Sequence, residues 1–157
     1  MKKIFPILLI TLLLSSFMSS ENTTYKCMIQ MKNYSGEGAY IAISLLNADG
    51  DYEKTLFVQG EDDEWYHDIT NWWKFHGKVR ADIDAITGET ISGGNRTISI
   101  IDIPSDKIDA GYKIRFESAV EDQEYYEKDV EFELTTENLQ NKVDGTGFIR
   151  YVRFMAQ

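Results

Sequence analysis

The alternation of apolar and polar residues is the feature that most constrains the fold of this chain. Apolar side chains recur at every second position from Tyr25 to Met31, and again from Ile41 to Leu45. A period of two places successive side chains on opposite faces of a strand and indicates that one face is buried. Strands are predicted at 25–31, 40–45, 52–59, 96–101, 113–120, 126–134 and 147–155. Seven short strands separated by turn signals predict an all-β fold, an immunoglobulin-like antiparallel β-sandwich.

Details of the pattern predict which side chains face inward. The pair Asp49-Gly50 is a strong hairpin signal between the second and third strands. In the fifth strand the even-numbered positions 112–120 are predicted to face inward, with Arg115 and Glu117 outward. In the sixth strand positions 130, 132 and 134 are predicted to face inward, with Asp129 outward.

One segment has helical periodicity instead. Apolar and aromatic residues fall at i, i+3, i+4 and i+7 in the order Ile69, Trp72, Trp73 and His76. Asp68 is a suitable N-cap and Gly77 a suitable C-terminal stop, so we expect one short inserted helix. The weak periodicity of residues 78–95 predicts a long loop.

The first 20 residues are typical of a cleavable signal peptide. Lys2 and Lys3 precede an apolar run at 4–14, and the small residues of 15–20 follow, with cleavage expected near Ser19 or Ser20. The apolar run is too short to span a bilayer, so we expect no stable membrane insertion after cleavage. Lipid anchoring would need a cysteine directly after that run, whereas Cys27 lies well downstream. We expect one domain over 21–157, in a periplasmic or secreted protein.

Charge excludes one class of partner. The chain has 16 basic and 26 acidic residues and a net charge of −10. Loss of Lys2 and Lys3 with the signal lowers the charge to −12. A domain this acidic is repelled by nucleic acid and by anionic lipid surfaces. The single cysteine cannot form an internal disulfide, so the fold depends on its core.

No catalytic constellation is present in the sequence, and we expect no enzyme. There is no phosphate-binding loop and no dinucleotide-binding glycine pattern. Consecutive carboxylates at 61–64 do not have the spacing of a calcium loop and are typical of a solvated loop, so no metal site is predicted. Trp72 and Trp73 leave two interpretations open. They line a ligand-binding groove with neighbouring aromatic residues, or they anchor the helix on a sheet face.

The segment 84–92 has the sharpest chemical signal. It resembles the acceptor motif for covalent flavin attachment, in which an FAD:protein FMN transferase joins the FMN phosphate to the final hydroxyl. By that resemblance Thr90 is the acceptor, and Asp84, Thr87 and Gly88 are recognition elements. Glu89 stands where the motif has alanine and places negative charge beside the incoming phosphate. The alternative interpretation is a Thr-Gly turn between strands.

An ordered set of short motifs extends the resemblance. The sequences at 39–42, 54–56, 72–73 and 84–88 together resemble the predicted periplasmic family called domain of unknown function 2271, over roughly residues 25–134. The segment around Ile103 and Pro104 departs from the family, whose members often have a Trp-Asp turn there. The resemblance implies an immunoglobulin-like sandwich, encoded near PepSY-type membrane proteins and FMN transferases.

The resemblance implies a function in electron transfer outside the cytoplasm. On this hypothesis the protein is an accessory domain that carries FMN on Thr90 and passes electrons to a membrane redox protein, while Trp72, Trp73 and Tyr66 shield the flavin ring. Two alternatives remain. One is a cofactor-free binding module that uses its acidic loop and aromatic helix, and the other is a structural module of the cell envelope.

Overall fold

The structure, a computed structural model, describes residues 21–79, 82–83 and 86–157. The predicted signal peptide at 1–20 and the motif residue Asp84 lie outside these residues. The described strands are β1 (Asn22–Met31), β2 (Tyr40–Leu46), β3 (Tyr52–Gln59), β4 (Thr87–Gly88), β5 (Arg96–Pro104), β6 (Lys113–Ala119), β7 (Tyr125–Glu133), β8 (Lys142–Asp144) and β9 (Ile149–Ala156). The described α-helices are α1 (Thr70–Val79) and α2 (Thr136–Gln140).

The strands form two sheets. One sheet has the order β5-β1-β9-β8 and the other has the order β4-β3-β2-β6-β7. This confirms the predicted all-β sandwich, and each of the seven predicted strands is present. The short strands β4 and β8 are additional, and β4 pairs with β3 in parallel, whereas all other pairs between the described strands are antiparallel. The strand order differs from that of an immunoglobulin constant domain.

The main core lies between the two sheets, where the inward positions of both meet. Cys27 and Ile29 of β1, Ile41 and Ile43 of β2, and Phe116 of β6 are fully buried there. Alternate positions of β2 face this core as predicted. Burial raises the pKa of the Cys27 thiol, which makes it a poor nucleophile.

The predicted hairpin between β2 and β3 is confirmed. Asn47 Oδ1 accepts hydrogen bonds from the backbone N–H of Asp49 at 3.0 Å and of Asp51 at 2.9 Å. Gly50 has a φ of +90°, a conformation that glycine adopts without steric cost. Asparagine and glycine therefore fix the turn and the register that follows from it.

A second apolar cluster forms on the outer face of the five-stranded sheet. Helix α1 packs there, and the buried residues are Ala42, Val58, Tyr66, Ile69, Trp72, Ile83 and Ala119. This sheet is therefore covered on both faces. The outward positions Arg115 and Glu117 of β6 are only 6% and 0% exposed. Both residues lie on the outer face as predicted. Their burial was not predicted, because alternation reports which face a residue occupies and not what covers that face.

The ends of the helix differ from the prediction. Asp68 ends a 3₁₀ segment (Asp63–Asp68), and the backbone N–H of Trp73 donates to the carbonyl of Ile69 at 2.8 Å, so the α-helix begins after Ile69. The helix continues through Gly77 to Val79. The segment predicted as a long loop contains the end of this helix and strand β4. Among the described residues, no helix is long and apolar enough to cross a membrane.

The prediction that Asp129 of β7 faces outward was wrong, since its side chain is fully buried and contacts Ser118, which was predicted to face inward. Its carboxylate accepts hydrogen bonds from Ser118 Oγ at 2.5 Å and from the backbone N–H groups of Gly147 at 2.6 Å and Ile149 at 2.9 Å. These contacts join β7 and β6 to the segment before β9. A buried carboxylate is stable there because several donors satisfy it.

Candidate functional site

The described part of the motif, residues 86–92, lies along the edge of the five-stranded sheet. Thr87 and Gly88 form β4 and pair with Val58 and Gln59 of β3. The backbone N–H of Gly60 donates to the Gly88 carbonyl at 2.5 Å. Thr87 and Gly88 are therefore part of the sheet, and the interpretation of this dipeptide as a plain turn does not describe its backbone.

Gly88 lies close to side chains of strand β3. A Cβ atom at Gly88 would lie 3.1 Å from Gln59 Oε1 and 3.4 Å from Phe57 Cζ. The close approach that glycine permits here is toward the protein's own strand β3. Gln59 is buried, and its Nε2–H donates to the Glu89 carbonyl at 3.3 Å. This bond connects one further residue of the segment to strand β3.

Thr90 lies between two anchored points of the backbone. On one side is β4, and on the other Ile91 pairs with Ala39 through two backbone hydrogen bonds of 2.8 Å and 3.2 Å. A Cβ atom at Gly38 would lie 2.3 Å from Thr90 Oγ1, so the hydroxyl is packed closely over that glycine. Glu89 and Thr90 are both exposed. Thr90 is thus an exposed residue on a backbone that the fold holds in place, with its hydroxyl beside Gly38.

A cavity of about 510 Å³ opens beside Thr90, where the edges of the two sheets separate. Its lining combines apolar, polar and charged side chains, with a backbone contribution from the motif, and consists of Phe57, Gln59, Gly88, Glu89, Thr90, Ile91, Ser92, Asn95, Arg96, Thr97 and Ile98. Phe57 and Ile98 supply apolar area, and Arg96 supplies a positive charge. The sequence analysis did not single out Phe57, Arg96 or Ile98, because they belong to strands distant from the motif in the chain.

Trp72 anchors helix α1 on the sheet. Its ring is fully buried, and the indole Nε1–H donates to Thr55 Oγ1 of β3 at 2.9 Å. Its backbone N–H donates to Glu117 Oε2 at 3.2 Å. The ring stacks on His76, with 4.9 Å between ring centroids. Partial burial lowers the pKa of His76, so this imidazole is neutral at pH 7.

Trp73 lies on the exposed side of the same helix, with 36% of its surface accessible. It lines a cavity of about 260 Å³ together with Tyr66, His76 and Thr87. Three carboxylates line the same cavity, those of Glu61, Asp63 and Asp82. The structure therefore brings Trp73 next to Thr87, whereas Thr90 and Gly88 line a different cavity. Trp72 lines neither of the two.

Sequence reasoning missed a polar cluster centred on Glu117 beneath α1. The hydroxyls of Tyr52 and Tyr125 each donate a short hydrogen bond to its carboxylate. Burial raises the pKa of the Glu117 carboxyl, and the hydrogen bonds from the two tyrosines oppose that shift. The pKa values of both tyrosines are raised, by burial first and then by the carboxylate. No sequence signal marked the cluster, because its members come from three strands.

No group of three or more histidine, cysteine, aspartate or glutamate side chains within 21–79, 82–83 and 86–157 is arranged to hold a metal ion. The exposed carboxylates near the 3₁₀ segment are therefore not grouped as metal ligands. They lie at the cavity beside Trp73 and on the surface around it. His67 contacts Asp68 at 3.2 Å, but both side chains are accessible to solvent. Ion pairs of this kind contribute little to stability.

The fold is an all-β sandwich with helix α1 on one outer face and the segment 86–92 at one open edge. The chain belongs to the family described as "Predicted periplasmic protein (DUF2271)", whose model matches residues 22–151. The family resemblance is thereby confirmed, and the protein is periplasmic. No curated protein and no solved structure has significant similarity to the chain.

Proposed function

We propose that this periplasmic sandwich is an accessory domain that carries FMN covalently on Thr90 and exchanges electrons with a membrane redox protein of the PepSY type. In this role it is an electron carrier and turns over no substrate by itself. The observation that supports the proposal most directly is the position of Thr90. Its side chain is exposed at the rim of a cavity of about 510 Å³, on a backbone anchored on both sides.

The attachment chemistry needs only a hydroxyl that another enzyme can reach. Thr90 Oγ1 attacks the phosphorus of the FMN half of FAD in the active site of an FAD:protein FMN transferase. The phosphoester to Thr90 forms, the bond between the two phosphates breaks, AMP leaves, and the hydroxyl proton passes to a base of the transferase. Covalent attachment suits an exported carrier, because a diffusible cofactor would be lost outside the cytoplasm.

The cavity residues fit a flavin nucleotide by residue type. Phe57 and Ile98 offer apolar surface for an aromatic ring system, and Arg96 offers a cation for the phosphate. Glu89 opposes the phosphate with a charge of the same sign. When bound, FMN supplies one- and two-electron transfer, and the side chains of the cavity set its access to solvent.

The tryptophans have different roles in this proposal. Trp72 holds α1 in place from within the core. Trp73 is the accessible ring, and it shares a cavity with Thr87, whereas Thr90 lines the larger cavity beside Phe57. In this proposal the aromatic residue that shields the flavin ring is therefore Phe57, which lines the Thr90 cavity. Trp73 takes part only where the ring reaches past Thr87.

The test is the intact mass of the mature protein produced in the periplasm together with an active FMN transferase. We expect a mass increase of one FMN moiety and a yellow, fluorescent protein. Thr90→Ala should abolish the increase, Thr90→Ser should retain it, and Thr97→Ala in the same cavity should leave it unchanged. An unmodified mass, with the transferase shown active on a known acceptor, would overturn the proposal.

A second candidate function, a cofactor-free binding module, is favoured by the cavity at Trp73. Aromatic faces and three carboxylates around about 260 Å³ suit an organic cation. On this alternative, tetramethylammonium added to the colourless protein shifts the NMR signals of Tyr66 and Thr87, and Trp73→Ala removes the shifts. Absence of any shift in the unsubstituted protein would exclude this alternative.

A further inference from the structure

The outer edge of the four-stranded sheet is formed by β5, which has unusual features for an exposed strand. It pairs with β1 on one side, and no other strand of the described residues pairs with it on the other. Ile98 and Ile100 point to solvent from this strand and are 55% and 50% exposed. Proteins usually protect a long edge with charges or distortions, because its free N–H and C=O groups accept another strand.

The edge strand of the opposite sheet has such protection. β7 places Glu127, Glu131 and Glu133 along nine residues, and Lys128 is its single cation. Pairing two copies of β7 would bring like charges together. The remaining edge strands, β4 and β8, have only two and three residues. β5 is thus the long edge, among the described strands, that lacks a charge barrier.

We propose that β5 is a homodimerisation edge, which pairs with β5 of a second copy of this chain in antiparallel orientation. Direct pairing places residues of the same face opposite one another, so Arg96, Ile98, Ile100 and Asp102 of one copy face the same set of the other. The two strands then extend the sheet across a twofold axis, from four strands to eight.

In one antiparallel register, every outward-facing residue of β5 lies opposite a residue of complementary type in the second copy. With Ser99 opposite Ser99 of the second copy, Arg96 lies opposite Asp102 and Ile98 lies opposite Ile100. Each pair occurs twice because of the symmetry. A shift by two residues in one direction places Arg96 opposite Ile100, and in the other direction it places Ile98 opposite Asp102. Charge complementarity therefore selects a second copy as the occupant and fixes its alignment.

The charged side chains of this register are already held on the outer face. Arg96 Nε donates to Gln30 Oε1 at 3.1 Å, and Asp102 Oδ1 accepts from Thr24 Oγ1 at 2.6 Å. Both bonds run to β1, the paired neighbour of β5, and hold the two side chains on the outer face. The face next to the edge also has Lys26 and Arg153 exposed, and these cations offset part of the negative charge of the protein there.

The experiment measures the mass of the mature, flavin-free protein in solution by light scattering and sedimentation over a wide concentration range. We expect a reversible dimer. Ile100→Lys should give a monomer, whereas Met155→Lys, on the same face but on β9, should leave the dimer intact. Far-UV circular dichroism and urea unfolding identify variants that are not folded.

Charge reversal tests the register itself. Arg96→Asp and Asp102→Arg alone each place like charges in both pairs, and we expect each to weaken the dimer about tenfold or more. The double variant restores opposite charges and should restore the dimer. A monomer at all concentrations, or a dimer that Ile100→Lys leaves unchanged, would overturn the proposal. The proposal would also be overturned if the double variant dimerised no more tightly than the single variants. The measurements use flavin-free protein because Arg96 and Ile98 also line the Thr90 cavity, where an attached flavin would compete with the second copy for these side chains.

Discussion

The indole N–H of Trp72 donates to the hydroxyl of Thr55 at 2.9 Å, and this bond joins helix α1 to strand β3 within the second apolar cluster. The two residues are 17 positions apart, and both are buried. The pair shows how the helix is fixed over the sheet. Shape complementarity places the ring, and the hydrogen bond sets its orientation.

Replacement of Trp72 by phenylalanine should destabilise the protein. The change leaves Thr55 without this donor, at a cost of about 1–3 kcal/mol in the free energy of unfolding, and alanine should cost about 3–5 kcal/mol. Urea unfolding gives both values. Trp73→Ala is the matched control and should cost less than about 1 kcal/mol, since Trp73 is partly exposed. Equal losses at the two positions would contradict the anchoring role of Trp72.

The buried carboxylate of Glu117 should make stability depend on pH. Burial raises its pKa above the ordinary value of 4.5, so the folded state binds this proton at a pH where the unfolded state has lost it. The contribution is fully present below pH 4.5 and is lost as the pH rises through the folded pKa. We therefore expect the stability of the unsubstituted protein, relative to Glu117→Gln, to increase as the pH is lowered from 7 to 4.5.

Urea titrations of both proteins at several pH values measure this difference, in which the other carboxylates cancel. Glu131→Gln is a control, because Glu131 contacts Arg115 of the same region from a more exposed position. A difference between the unsubstituted protein and Glu117→Gln that stays constant over this pH range would contradict the prediction.

Two glycines should respond to alanine in opposite directions. Gly60 has a φ of +125°, and a Cβ atom there would lie 2.1 Å from the ring of Tyr40, so Gly60→Ala should cost about 2 kcal/mol or more. Gly77 lies within α1 with open space around it, and Gly77→Ala should stabilise the protein by about 1 kcal/mol. Thermal unfolding measures both. A destabilised Gly77→Ala variant would show that the helix needs glycine at this position.

Glu89 should limit flavin attachment. Its carboxylate is exposed next to Thr90 and repels the incoming phosphate. Under the proposed function, Glu89→Ala increases the fraction of protein that gains FMN mass in a fixed reaction time. Glu89→Gln separates charge from size, since it removes the charge and retains the bulk. If the unsubstituted protein gains FMN and neither variant gains a larger fraction of it, the transferase tolerates this carboxylate.

Much of the fold could be predicted from the sequence because its strands obey period two and its turns use the expected residues. The hairpin at Asn47 and the buried face of β2 are examples, and both are confirmed. The strand β4 was missed because a strand of two residues is too short to show an alternation of apolar and polar residues. The ends of α1 were wrong because Asp68 serves the preceding 3₁₀ segment, which occupies the place where the helix was expected to begin.

The sites were less predictable, for a physical reason. A motif gives the acceptor Thr90, but the cavity beside it is lined by Phe57 and Arg96, which only the packing of two sheets brings together. Glu117 was predicted to face outward, and it does, but the helix that covers this face was not foreseen there. Long-range coverage of this kind leaves no local pattern in the chain, whereas the burial of Trp72 follows from helical spacing and was one of the two interpretations left open.

The buried thiol of Cys27 has a consequence for how the protein is made. Because it is the single cysteine of the chain, no step of maturation waits for an oxidant or for a disulfide isomerase. No disulfide of this chain therefore depends on the redox state of the cell envelope, and burial protects the sulfur of the folded protein from mixed disulfides with other exported proteins.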